Sequence, residues 1–241
     1  MATIPYSLLR PARFAKEIWK WIEVTYKFLS APNFPGDVNV GGDLSVEGDG
    51  AIAGDLVVTG DTTSNKYTLS SPRWDDMRVP LSSVRLPAAN APTWTVYKGS
   101  FVLAFDGTST DTIYFAVQIP HKYQEGTDID AHIHWVAEDN TAGNVLWRFT
   151  YSWANIDGTF PVETSVDKLI ATSEVTDKHI LTDIVDITGT SKTISGMLLC
   201  SLARIGGDAS DTYDAKDAYF LEFDFHFRTD TPGGSTTEDA K

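Results

Sequence analysis

Two histidines separated by one residue, in a predicted β-strand that also carries aspartates, are the clearest candidates for chemistry in this 241-residue chain. The segment is residues 126–138, GTDIDAHIHWVAE. Strand alternation places Asp128, Asp130, His132 and His134 on one face and the apolar residues between them on the other. Imidazoles two positions apart can reach one metal ion, and a nearby carboxylate can complete its coordination. We therefore predict His132 and His134 as candidate metal ligands.

The same segment resembles the first half of the metal-binding motif of cupins, which are jelly-roll proteins. Four positions match that half: Gly126, His132, His134 and Glu138. The resemblance implies a metal-binding enzyme. Gly143 arrives too early for the motif, however, and no second half is present, so the third histidine is missing. The remaining histidines have no assigned place: His121, His179 and His226.

A simpler interpretation is that His132 and His134 lie on the solvent or subunit face of a strand whose other face packs the core. No Ser/His/Asp order, glycosidase carboxylate pair or phosphate-binding loop stands out elsewhere in the sequence. We therefore expect a binding or structural protein rather than an enzyme, with no cofactor beyond this candidate metal.

The strands that must position these histidines belong to a predicted C-terminal head, residues 93–229. About eight strand patterns and no helical pattern occur there, which predicts an antiparallel β-sandwich of the jelly-roll type. They cover residues 94–105, 112–119, 128–137, 144–153, 168–174, 179–187, 193–203 and 218–228. In the last one, Tyr219, Leu221, Phe223, Phe225 and Phe227 are predicted to share the core face. The 144–153 pattern alternates in the same way.

A Gly-Asp pair recurs at every sixth position over residues 36–65, within a predicted stalk at residues 33–66. Apolar residues follow in phase, as expected for very short strands joined by turns: Val38, Val40, Leu44, Val46, Ile52, Leu56 and Val58. These side chains are too few for one chain to close a core of its own. Several chains, most simply three, would have to share it, with aspartates outward and glycines at the corners.

The repeat followed by a β-sandwich resembles the stalks and heads of bacteriophage tail fibres, tail spikes and head fibres. The resemblance implies a homotrimeric virion structural protein, assembled in the host cytoplasm and attached to the capsid or tail. Its head would serve host attachment, through a surface glycan or another receptor, or capsid decoration. In such a trimer, His132 and His134 from three chains could also form an axial ladder of six imidazoles, an arrangement known in some phage fibres.

Residues 11–29, within a predicted N-terminal segment of residues 1–32, have the spacing of an amphipathic helix. Its predicted anchoring face consists of Phe14, Ile18, Trp21, Ile22 and Phe28. Two occupants suit this face: the same helix of two further copies, or a capsid or tail protein. Trp19 and Tyr26 widen the face beyond a coiled-coil seam, which favours a partner protein.

The rest of the chain limits the choice of function. The net charge of −14 argues against nucleic acid as a partner, and no apolar run is long enough for membrane insertion. A secretory signal is not expected, because the first residues have no continuous apolar core and no small-residue cleavage site. A disulfide framework is not expected either, because the single cysteine, Cys200, lies in an apolar strand pattern. Residues 67–92 are predicted to be an extended collar and residues 230–241 a disordered tail.

A carbohydrate-binding module remains a further alternative, with Trp94, Trp135 and Trp153 as the rings that would stack on sugars.

Overall fold

The computed structural model describes residues 50–60 and 70–233. The chain divides into two compact units, Met1–Asp61 and Thr62–Lys241, which we describe separately. Several predictions lie outside the described residues: the N-terminal helix, residues 234–241 of the disordered tail, the anchoring residues Phe14, Ile18, Trp21, Ile22 and Phe28, and the stalk residues Val38, Val40, Leu44 and Val46. Residues 230–233 of that tail are described, and Thr231 among them is buried. No helix within the described residues is long and apolar enough to cross a membrane.

Residues 70–233 contain ten strands and one 3₁₀ turn at Leu81–Ser83. The strands are β1 (Arg73–Pro80), β2 (Thr93–Tyr97), β3 (Ser100–Phe105), β4 (Thr110–Gln118), β5 (Ile129–Ala137), β6 (Asn144–Ala154), β7 (Thr164–Ala171), β8 (Ile180–Ile187), β9 (Met197–Ile205) and β10 (Ala218–Thr229). Sheet A has the order β2-β3-β10-β5-β8, with β1 also paired to β10, and sheet B has the order β4-β9-β6-β7. The predicted antiparallel β-sandwich is confirmed.

The strands pair in a nested order that identifies the topology. β3 pairs with β10, β4 with β9, β5 with β8 and β6 with β7. Each pair in this series encloses the next one in sequence, and the innermost pair, β6 and β7, is a hairpin. The whole series therefore resembles one long hairpin that is rolled up into two sheets. This is the arrangement of a jelly roll.

Aromatic side chains from both sheets fill the space between them. Phe149 of sheet B stacks on Phe223 of sheet A with 5.0 Å between ring centroids, and Phe105 meets the edge of Trp147 at 5.2 Å. The predicted alternation of β6 is confirmed, with Val145, Trp147, Phe149 and Trp153 buried. Cys200 is buried as expected, and this burial raises the pKa of its thiol. Among the described residues, all members of this core lie between Val79 and Phe227.

The predicted alternation of β10 is correct in its second half and wrong in its first. Phe223, Phe225 and Phe227 are buried, but Tyr219 and Leu221 are only half-buried while Phe220 is fully buried. The register against β5 shifts between Phe220 and Glu222. A β-bulge adds one residue to one strand of a pair, so the side chains on its two sides change phase.

Two strand boundaries also differ from the prediction. The pattern over residues 94–105 is a hairpin, in which Lys98 and Gly99 form the two-residue loop between β2 and β3. Both have positive φ, as a type I′ turn requires. In addition, β1 lies inside the segment assigned to the collar and is a full strand of sheet A.

A buried ion pair ties the end of β9 to the loop before β10. The Arg204 guanidinium is fully buried and donates two hydrogen bonds to the Asp211 carboxylate, at 2.9 and 2.8 Å. It also donates to three main-chain carbonyl oxygens, those of Phe105, Tyr213 and Lys216. Because the charge is neutralised and its donors are satisfied, burial is tolerated at this inward-facing position.

The described part of the Gly-Asp repeat leaves its apolar side chains uncovered. Residues 50–60 form no regular strand, and each of them is exposed. Ile52 is 62% exposed, Leu56 68% and Val58 49%. Within the part of the chain that the structure describes, these side chains therefore have no packing partner that excludes water from them.

Candidate functional site

The outer face of sheet A carries the predicted histidines. The core-facing residues of β5 and β10 alternate with polar ones, so strand geometry directs His132, His134 and Asp224 away from the core. The register in which β10 pairs with β5 and β1 then determines which side chains lie beside them. His132 lies opposite Asp224 on β10, and Asp224 lies opposite Arg78 on β1.

Four of the five histidines in the chain meet on this face, around the carboxylate of Asp224. His132 Nδ1 lies 3.8 Å and His134 Nε2 lies 3.4 Å from Asp224 Oδ1. His226 Nε2 lies 3.3 Å from the other carboxylate oxygen, and its ring meets the ring of His132 edge-on at 4.1 Å. His179 joins through a 2.7 Å contact between its Nε2 and His134 Nδ1. Asp224 is thus the centre of the cluster.

Two atoms of this cluster are buried without partners. Among the described residues, neither His132 Nδ1 nor Asp224 Oδ1 has a hydrogen-bond partner. The two side chains are only 8% and 7% exposed, so bulk water does not supply the missing hydrogen bonds. Buried polar atoms are nearly always satisfied, and an exception calls for an explanation.

Further carboxylates surround the histidines. Asp183 Oδ1 lies 3.2 Å from His132 Nε2, and Asp76 Oδ1 lies 3.1 Å from His226 Nε2. Asp130 faces Asp186 across the β5–β8 pair, and burial together with this second carboxylate raises the pKa of Asp130. Arg78, which lies opposite Asp224 on β1, pairs with Glu222, whose carboxylate raises the pKa of the guanidinium. The face therefore has a surplus of negative charge and imidazole nitrogens.

The structure brings together some predicted residues and separates others. His132 and His134 both contact Asp224, and His179 and His226 join them, whereas His121 lies elsewhere and contacts Ser195 Oγ at 2.8 Å. Glu138, the fourth position of the cupin-like pattern, accepts a hydrogen bond from the Asp217 backbone at 2.8 Å. It is thus engaged with the loop before β10, and no contact joins it to His132 or His134 among those described.

Asp224 and His226 were missed as site residues by sequence reasoning. The alternation of β10 did place both on its polar face, but only the pairing of β10 with β5 brings them beside His132. That pairing joins strands far apart in sequence, and no local pattern specifies it.

The tryptophans proposed for sugar stacking are mostly unsuited to it. Trp135 and Trp153 are buried, so that prediction is wrong for both. Trp135 lies on the core face of β5, where its indole N–H donates to Thr182 Oγ1 at 2.9 Å. Trp94 is half-exposed on β2, next to the exposed Val96 and Phe101.

Apart from the histidine cluster, a concave surface lies on the outer face of sheet B. It is a groove of about 400 Å³ whose exposed aromatic residues are Tyr114 and Phe160. Leu199 contributes apolar surface, while Ser201 and Glu163 supply polar groups. The volume is in the range of small-molecule sites, and the mixture of aromatic and hydroxyl groups suits a ligand with both ring faces and hydroxyls.

No protein family and no curated relative matches this chain. Among solved structures, the xylan-binding CBM22-1 domain of Xyn10C from Paenibacillus barcinonensis is 12% identical over 62% of this chain and 88% of that one, with a TM-score of 0.36. A family 35 carbohydrate-binding module from Clostridium thermocellum is 14% identical over 62% and 97%, with a TM-score of 0.33. The structure of infectious bursal disease virus Gx strain is 13% identical over 76% and 38%, at 0.35. These similarities are too weak to assign a function.

The arrangement on sheet A suits binding of a cation. Imidazole nitrogens and a carboxylate converge at one point on this face, which is the donor set of transition-metal sites.

Proposed function

We propose that this chain is the subunit of a trimeric bacteriophage fibre or spike. The observation that carries the proposal is the exposure of Ile52, Leu56 and Val58 in a repeat whose phase is regular. A flexible linker has no need of valine and leucine in phase with its glycines. Shared burial among parallel chains gives these positions a role, because each such side chain stabilises an assembly by about 1.5–3 kcal/mol when fully buried.

The head suits display at the end of such a stalk. Its described core residues all lie between Val79 and Phe227, so we expect the head to fold without the repeat. The N-terminal segment would anchor the trimer to a capsid or tail protein, and the head would serve host attachment or capsid decoration. The acidic composition of the chain agrees with a partner other than nucleic acid.

Sedimentation equilibrium tests the shared stalk. We expect a wild-type mass near three times 26.5 kDa. Replacing Leu44, Val46, Leu56 and Val58 together with serine should weaken assembly, because the stalk loses the apolar surface that the chains would share. The circular dichroism spectrum of the head should persist, since the buried core of the head is formed by residues between Val79 and Phe227.

The matched control removes two valines and two leucines from exposed positions of the head: Val96, Val162, Leu169 and Leu181, each replaced by serine. This variant should sediment as the wild type does. A wild-type protein that is a monomer at all concentrations would refute the shared stalk and with it the assignment as a fibre.

A second candidate function, glycan binding by the head, is favoured by the groove on sheet B. Its exposed rings, Tyr114 and Phe160, can stack on sugar rings, and Ser201 and Glu163 can bond to hydroxyl groups. If this is how the host surface is recognised, the full chain should bind defined oligosaccharides on a glycan array. Tyr114→Ala should weaken the best ligand about tenfold, equivalent to about 1.4 kcal/mol.

The control for this prediction is Phe101→Ala, which removes an exposed ring from β3 in the opposite sheet. It should leave glycan affinity unchanged. If the chain bound no oligosaccharide on the array, or if both variants lost the same affinity, glycan binding in the groove would be contradicted. The proposal of a shared stalk would not be affected.

A further inference from the structure

We propose that His132, Asp224 and His226 form a binding site for one divalent transition-metal ion, with zinc the best match to the ligands. One ligand atom from each residue lies within 4.8 Å of the others. The three come from two neighbouring strands, β5 and β10, and face outward from the same sheet. The site is distinct from the stalk and from the groove that the proposed function uses.

The unpartnered atoms point to a ligand between them. His132 Nδ1 and Asp224 Oδ1 are 3.8 Å apart, which is too long for a hydrogen bond, and both are buried. Zinc binds nitrogen and carboxylate oxygen at about 2.0–2.2 Å, so two such bonds can span about 4 Å. One ion between the two atoms would satisfy both.

The tautomer of His132 fits the same assignment. Its Nε2 lies 3.2 Å from Asp183 Oδ1, where an N–H can donate to the carboxylate. The lone pair then resides on Nδ1, the atom that faces Asp224. Metal-binding histidines commonly donate their other N–H to a carboxylate in this way, which fixes the ring and strengthens the ligand.

The ligand types select the class of ion. Two imidazoles and one carboxylate suit zinc, cobalt or nickel, whereas magnesium and calcium prefer oxygen ligands. The charge of the ion would also offset the surplus of carboxylates on this face, which includes Asp76, Asp183 and Asp130.

The assignment differs from the histidine pair that sequence alone suggested. His134 also approaches Asp224, but its Nδ1 is engaged with His179 at 2.7 Å. We assign His226 rather than His134 as the second imidazole, because a ligand atom of His226 lies within 4.8 Å of ligand atoms of both His132 and Asp224. The site would then join β5 and β10 directly and reach β1 through the contact of His226 with Asp76.

The experiment uses the full chain after treatment with a chelator. Titration with Zn²⁺ by calorimetry, and with Co²⁺ by visible absorption, should give one ion per chain. His226→Gln and Asp224→Asn should each lower the affinity for Zn²⁺ by at least about tenfold. His121→Gln is the matched control, because that histidine contacts Ser195 away from the cluster, and it should bind as the wild type does.

Three outcomes would overturn the proposal: no saturable binding of Zn²⁺ or Co²⁺, unchanged affinity in His226→Gln, or an equal loss in His179→Gln. The last would indicate that His134 and His179 hold the ion instead. His226 is one-third exposed, so its replacement should leave the fold intact, which circular dichroism checks. A chain that binds no metal but still forms trimers would refute this site and not the proposed function.

Discussion

Individual aromatic side chains hold the two sheets of the head together. Phe223 is the clearest example, because its ring lies 5.0 Å from that of Phe149 and 5.1 Å from that of Phe115, both on the opposite sheet. It is fully buried. Truncating it would remove contacts with both neighbours at once and leave a cavity that a tightly packed core cannot readily close.

We expect Phe223→Ala to lower the free energy of unfolding by about 3–5 kcal/mol. Phe101→Ala is the matched control, because Phe101 is 63% exposed, and its effect should stay within about 0.5 kcal/mol. Urea denaturation followed by circular dichroism measures both. Similar losses in the two variants would mean that the burial assigned to β10 is incorrect.

For individual residues, the sequence predicted which face of a sheet a side chain occupies where that depends only on alternation within its own strand. Alternation along β5 correctly directed His132 and His134 outward. It could not identify Trp135 as buried rather than available to sugar, because an aromatic ring suits either face of a strand. Nor could it select Asp224, whose role depends on which strand lies beside β5.

At the scale of elements, the strand patterns predicted the sandwich but not all of its strands. β1 was assigned to a collar because residues 67–92 are rich in proline, serine and arginine and show no sustained period. Such a composition is compatible with the position of β1, which pairs only with β10 among the described strands. The bulge after Phe220 was equally hidden, because an extra residue changes the phase of a strand without a distinct local pattern.

The Arg204–Asp211 pair shows a related limit of strand patterns. An arginine at an inward position of β9 contradicts a simple apolar alternation, yet the carboxylate and three carbonyl oxygens around it satisfy the guanidinium. These partners come from β3 and from the loop before β10, and only the assembled fold brings them together.

At the scale of the whole molecule, the proposal divides the chain into a part that assembles and a part that folds by itself. The N-terminal segment is assigned to attachment, because the predicted apolar face of Phe14, Ile18, Trp21 and Phe28 has no evident partner within its own sequence neighbourhood. Attachment should therefore be separable from folding of the head.

We expect a chain that starts at Asn33 to retain the circular dichroism spectrum of the head and to be missing from purified particles. The control is a chain that lacks residues 234–241, which should be incorporated normally because these residues play no part in the proposed anchor. Immunoblotting of particles measures incorporation. Normal incorporation of the shortened N-terminal form would place the attachment surface elsewhere in the chain.

The position of β1 has a mechanical consequence. The chain enters the head from its N-terminal side through β1, which pairs along its length with β10 and with no other strand of sheet A. Tension applied to the N-terminal side would therefore load the β1–β10 hydrogen bonds before it reached any other strand. Two side-chain contacts cross between these strands and lie directly along this path of force: the ion pair of Arg78 with Glu222 and the contact of His226 with Asp76.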